Sequence, residues 1–215
     1  MNRTICENIM WVAMKKSIFR FVAGECPDMD FKAFQTRFRK RYWDMCAEVD
    51  DIGPMHKNPL RVSLTGGIVW LAAYEACDGK MDEAMFSRMV VHTMHAPLFQ
   101  KAFALQKPFD RKTQRKKAAL AKAANELSDS EFNWQTEYRL GRAETEYFCT
   151  YYRCGLCALG RKYGHQKLIP YMCQMDYISI DRMGGTLYRT QTLATGGSCC
   201  DFHVVKQGTE GEKEN

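Results

Sequence analysis

The apolar residues of this 215-residue chain change their repeat after Ser128-Asp129-Ser130. Upstream they recur at steps of three and four; downstream Phe132, Trp134, Thr136 and Tyr138 alternate, Leu140-Gly141-Arg142 turns, and Thr145, Tyr147, Cys149 and Tyr151 alternate again on one side. A repeat near 3.6 buries one stripe of a helix and a repeat of two buries one face of a strand. The chain therefore begins helical and then adds a hairpin. Residues 154–162 and 168–181 return to helical spacing, Gly184-Gly185 turns, and residues 187–194 and 200–206 read as two strands around a Gly196-Gly197 turn. The predicted class is α+β: a helical N-terminal part packed on a small antiparallel sheet of about four strands with two inserted helices. The expected boundaries are a helical segment over 1–55, an α+β domain over 56–205 and a polar tail over 206–215 without fixed structure.

Within the helical part, residues 4–22 carry Ile5, Ile9, Val12, Met14 and Ile18 before Cys26-Pro27 ends the segment. Asp30 looks like an N-cap for a helix bearing Phe31, Phe34, Phe38, Tyr42, Met45 and Val49, a stripe read as core. Thr65 is expected to cap a helix carrying Ile68, Leu71, Ala72 and Ala76 inward, stopped by Asp78-Gly79. Gly66-Gly67 is not a phosphate loop, because no Gly-Lys-Ser/Thr follows. Residues 81–95 form the next helix, ended by Pro97, and 98–127 continue as helix broken near Pro108. His92 and His95 share a face, but a pair without a carboxylate partner makes a poor metal site.

A chain of this length with 46% hydrophobic residues buries enough surface to fold without disulfide staples, so its ten cysteines are not required as scaffolding. No early segment has the order of a signal peptide, since Lys15, Lys16 and Arg20 interrupt the first apolar run. The expected compartment is the reducing cytoplasm, which leaves Asn2-Arg3-Thr4 an idle sequon. No apolar run is long enough for a membrane span. The net charge of +6 concentrates in residues 32–41 and 101–122; Arg111, Lys112, Arg115, Lys116, Lys117 and Lys122 alternate with alanines, which favours a solvated helix face over nucleic-acid contact.

Five cysteines fall in the last quarter, beside a carboxylate, an arginine and several threonines. A helix from Leu168 puts Cys173 and Asp176 on one face. On the last strand Cys200 and Phe202 share one face and Cys199, Asp201 and His203 the other; the inward set among Arg189 to Ala194 is not decided by pattern. Cys6, Cys26, Cys46, Cys77 and Cys149 read as buried small hydrophobes. Cys154-x-x-Cys157 has zinc-ligand spacing, with Cys173 and Cys199 or Cys200 as partners, but lacks a second C-x-x-C.

Arg153-Cys154, Cys173-x-x-Asp176, Arg189-Thr190-Gln191-Thr192-Leu193 and Cys200-Asp201-Phe202 together resemble the L-2-amino-thiazoline-4-carboxylic acid hydrolase family. The similarity extends from Leu60 to Val205 and does not reach the first 55 residues. The family pattern often has His before Cys-Asp-Phe, where this chain has Cys199, and Pro-Glu-Leu where it has His165-Gln166-Lys167-Leu168. The resemblance implies hydrolytic opening of a small cyclic amidine or thiazoline carboxylate to an N-carbamoyl amino acid, with no metal or redox cofactor. It points to Cys173, Asp176 and Cys200 as catalytic residues and to Arg189, Thr190, Thr192 and Cys154 as substrate-binding ones. Either Asp176 activates water, or a thiolate at Cys173 or Cys200 attacks the carbon between nitrogen and sulfur. Arg189 suits a substrate carboxylate, and Thr190 and Thr192 suit the exocyclic amine. The expected partner is a small molecule, with no nucleic acid and no membrane; the oligomeric state stays open. The rivals are a non-enzymatic small-molecule-binding or sensor domain and a zinc-binding module.

Overall fold

The computed structural model describes residues 5–141 and 143–209. Asn2-Arg3-Thr4, Arg142 of the hairpin turn and residues 210–215 of the tail lie outside the described residues. The helical part comprises α1 (Ile5–Glu25), α2 (Phe31–Glu48), α3 (Arg61–Ala76), α4 (Glu83–Met94), α5 (Pro97–Ala104) and α6 (Arg111–Asn125). Strands β1 (Gln135–Leu140) and β2 (Glu146–Arg153) follow, then helices α7 (Gly155–Tyr163), α8 (Ile169–Met172) and α9 (Gln174–Arg182), and finally β3 (Gly185–Tyr188) and β4 (Cys200–Lys206). The sheet order is β1-β2-β4-β3, every pair antiparallel, which is the expected α+β architecture. Among the described residues no helix is long and apolar enough to cross a membrane.

Asp30 caps α2 as expected, its carboxylate accepting from the Ala33 amide at 3.0 Å. The stripe Phe34, Phe38, Tyr42 and Met45 is sealed from solvent, each side chain adding about 1.5–3 kcal/mol over an exposed position. These residues share one core with α1, α3, α4, α7 and α8. Helix α3 runs through its middle. A Cβ on Gly67 would lie 2.3 Å from Leu156 Cδ2, so the glycine lets α7 approach α3 closely. The cap expected at Thr65 is not there. Helix α3 begins four residues earlier, where the Asn58 side chain receives the Leu60 amide, and Thr65 turns its hydroxyl back to the Arg61 carbonyl at 2.8 Å.

Three further expectations are corrected. The stretch 168–181 is not one helix: α8 ends at Met172 and α9 restarts after Cys173, whose backbone joins the two. The strand expected over 187–194 stops at Tyr188, because Asp201 on β4 accepts the amides of Thr190 and Gln191 at 3.1 and 2.8 Å and the Thr190 hydroxyl. A side chain thus takes the amides that a ladder would have used, and Leu193–Thr195 closes as a 3₁₀ turn. The start of the tail is also fixed, with the Gln207 amide bonded to the Gly184 carbonyl and its side chain to Asp181.

The inner sheet face carries Tyr147, Cys149 and Tyr151 on β2, opposite Val204, Phe202 and Cys200 on β4. Together with Phe109, Ile180 and Leu187 they form a second, smaller core. The space between this face and the helices is not filled.

Candidate functional site

A cavity of about 710 Å³ lies between the helical layer and the inner sheet face. Its walls are mainly apolar: Met10 and Met14 of α1, Phe99 and Phe103 of α5, Leu120 of α6 and Phe202 of β4. Asp176 enters from α9. About a quarter of its side chain is accessible, 27%, and that surface belongs to the cavity wall.

Asp176 is half-satisfied. Arg189 Nη1 donates to its Oδ2 at 2.8 Å, and among the described residues no donor reaches Oδ1. Arg189 Nη2 reaches the Cys173 carbonyl at 3.4 Å, and the guanidinium lies 4.8 Å from the Tyr177 ring and 5.2 Å from that of Phe202. The arginine is held on all sides and orients the carboxylate. Burial raises the Asp176 pKa to about 6, while the charge and hydrogen bond of Arg189 pull the other way. A carboxyl group poised near neutrality in a cavity has the properties of a general base.

The sulfur atoms behave differently from one another. Burial pushes the Cys200 thiol up to about 11, and the Leu193 amide at 3.3 Å only partly offsets it. Burial, reinforced by Asp176, also holds Cys173 well above the ordinary thiol range. Both are neutral thiols near pH 7. Cys154, at the N-cap of α7, is lowered instead, the neighbouring Cys157 thiol outweighing burial. Cys157 shifts upward in response. Gly155 is required between them, since a Cβ there would lie 2.2 Å from the Phe132 carbonyl oxygen.

Of the residues singled out in the sequence, Asp176, Arg189 and Cys173 meet directly, and the charges of Cys154, Arg189 and Asp176 act on Cys200. Thr190 and Thr192 do not join them. The Thr190 hydroxyl is spent on Asp201, and that of Thr192 caps the following turn through Thr195 at 2.9 Å. Asp201 is low because the hydrogen bonds of Thr190 and the nearby amides outweigh its burial. The departure at His165 falls away from the cavity, with the ring bonded to Glu75 at 2.9 Å and edge-on to Tyr74. Among the described residues no cluster of three or more His, Cys, Asp or Glu side chains is arranged to hold a metal.

The polar lining that sequence reasoning missed lies opposite. Trp70 Nε1, Thr136 Oγ1 and the Tyr138 hydroxyl are buried with no hydrogen-bond partner among the described residues, and all three residues line the cavity. Lys117 lines it too and makes no ion pair among the described residues, which corrects its assignment to a solvated face. Its spacing held a signal: Gln114, Lys117, Leu120 or Ala121, and Ala124 recur at three and four along the inward stripe of α6.

An antiparallel sheet covered by helices, with a chiefly apolar cavity and a carboxylate in its wall, makes this an α+β protein. The sequence profile of the L-2-amino-thiazoline-4-carboxylic acid hydrolases matches residues 63–204, and the chain belongs to that family. No curated protein and no solved structure matches it.

Proposed function

We propose that this chain hydrolyses a cyclic amidine of the 2-amino-thiazoline-4-carboxylate type, opening the ring to an N-carbamoyl amino acid. The supporting observation is Asp176, which lines the cavity with one oxygen fixed by Arg189 and no donor on the other among the described residues. Water bound to Oδ1 attacks the ring carbon that carries the exocyclic amine, forming a carbon–oxygen bond as its proton passes to Asp176. The carbon–sulfur bond then breaks. Sulfur leaves as a thiolate, which needs little acid assistance because a free thiol ionises near about 8.5; Asp176 returns its proton to that sulfur, and the proton of the added hydroxyl passes to the ring nitrogen as the carbonyl forms. Water is consumed, the ring nitrogen stays bonded to the former amidine carbon, and a urea and a thiol result. Arg189 acts as a positioning residue, because it bonds Asp176 and the Cys173 carbonyl from outside the cavity wall.

A second reading rests on Cys154. Of the two routes open to a thiolate, attack through Cys173 or Cys200 starts from a protonated sulfur, whereas Cys154 is the thiol held low. Its sulfur would displace the ring sulfur to give an enzyme-bound isothiourea, which water activated by Asp176 would cleave to regenerate the thiol.

The test is release of thiol and N-carbamoyl cysteine from L-2-amino-thiazoline-4-carboxylate. Turnover by the natural chain and its loss in Asp176→Asn with the fold intact support the proposal. Absence of turnover in the natural chain leaves a binding protein instead. A mass increase on Cys154 during single turnover selects the covalent route.

A further inference from the structure

We infer that the cavity receives an amphipathic organic anion considerably larger than the thiazoline carboxylate, its anionic end held by Lys117 and Tyr138 and its apolar body lying between α1, α5 and the sheet. Resting on the hydrolase reading, this ligand is the substrate, with its reactive ring at Asp176 and its arm extending across the chamber.

Size is the first argument. A cavity of about 150 Å³ already holds benzene, so a thiazoline carboxylate of about nine non-hydrogen atoms needs on the order of 200–250 Å³. The chamber of about 710 Å³ is roughly three times that. Its walls of methionine, phenylalanine and leucine suit a long apolar body, methionine adapting readily to irregular shapes.

Polarity is the second. Trp70 Nε1 can only donate, Lys117 offers donors alone, and the Tyr138 and Thr136 hydroxyls are unpaired. Tyr138 stacks on Tyr147 with ring centroids 5.3 Å apart, and Lys117 Nζ sits 5.9 Å from that same ring, which places both groups at one end. A donor-rich corner with a cation and no counter-ion is complementary to a carboxylate. Among the described residues Asp176 is the only carboxylate in the wall. Asp176 acts on Tyr147 and shares Cys149 with Lys117, so one ligand lying along the β2 face of the chamber reaches both groups.

Calorimetric titration with decanoate and with uncharged decan-1-ol tests this. Decanoate is expected to bind with one site per chain, and Lys117→Met to weaken it roughly ten- to hundredfold while decan-1-ol binding stays unchanged. Tyr138→Phe is expected to weaken decanoate less than Lys117→Met does. Lys112→Met, an exposed lysine of the same helix outside the cavity wall, serves as the control and is expected to bind normally. Lack of decanoate binding, or equal losses in Lys112→Met and Lys117→Met, overturns the inference. The two readings fail separately. Decanoate binding that depends on Lys117, without thiazoline turnover, removes the hydrolase and keeps the site. Thiazoline turnover that millimolar decanoate does not inhibit removes the site and keeps the hydrolase.

Discussion

Two buried arginines hold carboxylates in this molecule, and they do so with opposite degrees of completion. In the helical part Arg61, 4% exposed, donates to Glu7 at 2.7 and 3.2 Å, to Asp51 and to the Gly53 carbonyl at 2.7 Å. It ties α1 and the loop before α3 to α3 itself. Arg189 gives Asp176 a single bond, and among the described residues its second oxygen, on a side chain lining the cavity, meets no donor. The saturated cluster is what architecture requires, since each desolvated charge needs its partners. In the unsaturated one burial raises the carboxyl pKa against the arginine and an acceptor is left unused, which stability alone would not select. The difference separates a clamp from a site.

The comparison breaks if Asp176 turns out to be a clamp as well. Asp176→Asn is expected to reduce kcat/KM roughly a hundred- to ten-thousandfold while the thermal midpoint and circular dichroism stay near those of the natural chain. Unfolding of that variant would equate the two clusters. The reverse holds for Arg61→Met, which strands Glu7 in the core and is expected to cost about 3–5 kcal/mol in urea unfolding. A fully stable Arg61→Met would remove the contrast from the other side.

A finer distinction lies in pH. The rate is expected to rise with pH around the Asp176 value of about 6, as the base becomes ionised. Arg189→Met removes the group that favours ionisation, so the midpoint should move to higher pH; a midpoint that stays or falls contradicts the geometry. Stability has the opposite sign. The folded state binds the Asp176 proton more tightly than the unfolded state does, so this contribution is lost as pH climbs from about 3.9 through about 6. The smallest expected effect concerns sulfur: at pH 7 iodoacetamide should modify Cys154 first, and Cys154→Ser should remove that fast phase while Cys173→Ser and Cys200→Ser leave it.

Much of the scaffold was legible in the sequence. The repeat change at Ser128 separated helices from hairpin, Asp30 capped α2, and the alternation of Tyr147, Cys149 and Tyr151 defined the inner face. Local pattern failed where a distant group intervened. Asp201 ended β3 by taking the amides of Thr190 and Gln191 across the Gly196 turn, something no periodicity encodes. The same event spent the hydroxyls of Thr190 and Thr192 on local bonds, which alternation along a strand does not reveal. At the site, sequence adjacency led to Cys173 and Asp176, whereas Lys117, Tyr138 and Trp70 converge from three separate elements. An inward lysine on α6 was detectable by spacing, but the alanines around it resembled an ordinary soluble helix.

Helix α5 contributes no fully buried side chain, whereas α1, α3, α4, α6 and α9 around the same chamber each contribute at least one. Leu98 and Leu105, at either end of it, are 58% and 73% exposed, and the stacked pair Phe99 and Phe103 leans on the interior. Local opening costs least where fewest contacts must be broken, so traffic between solvent and chamber should run beneath these two rings. Amide hydrogen exchange faster in α5 than in α3 would mark this helix as the doorway, and its escape rate would then govern how long a guest stays inside.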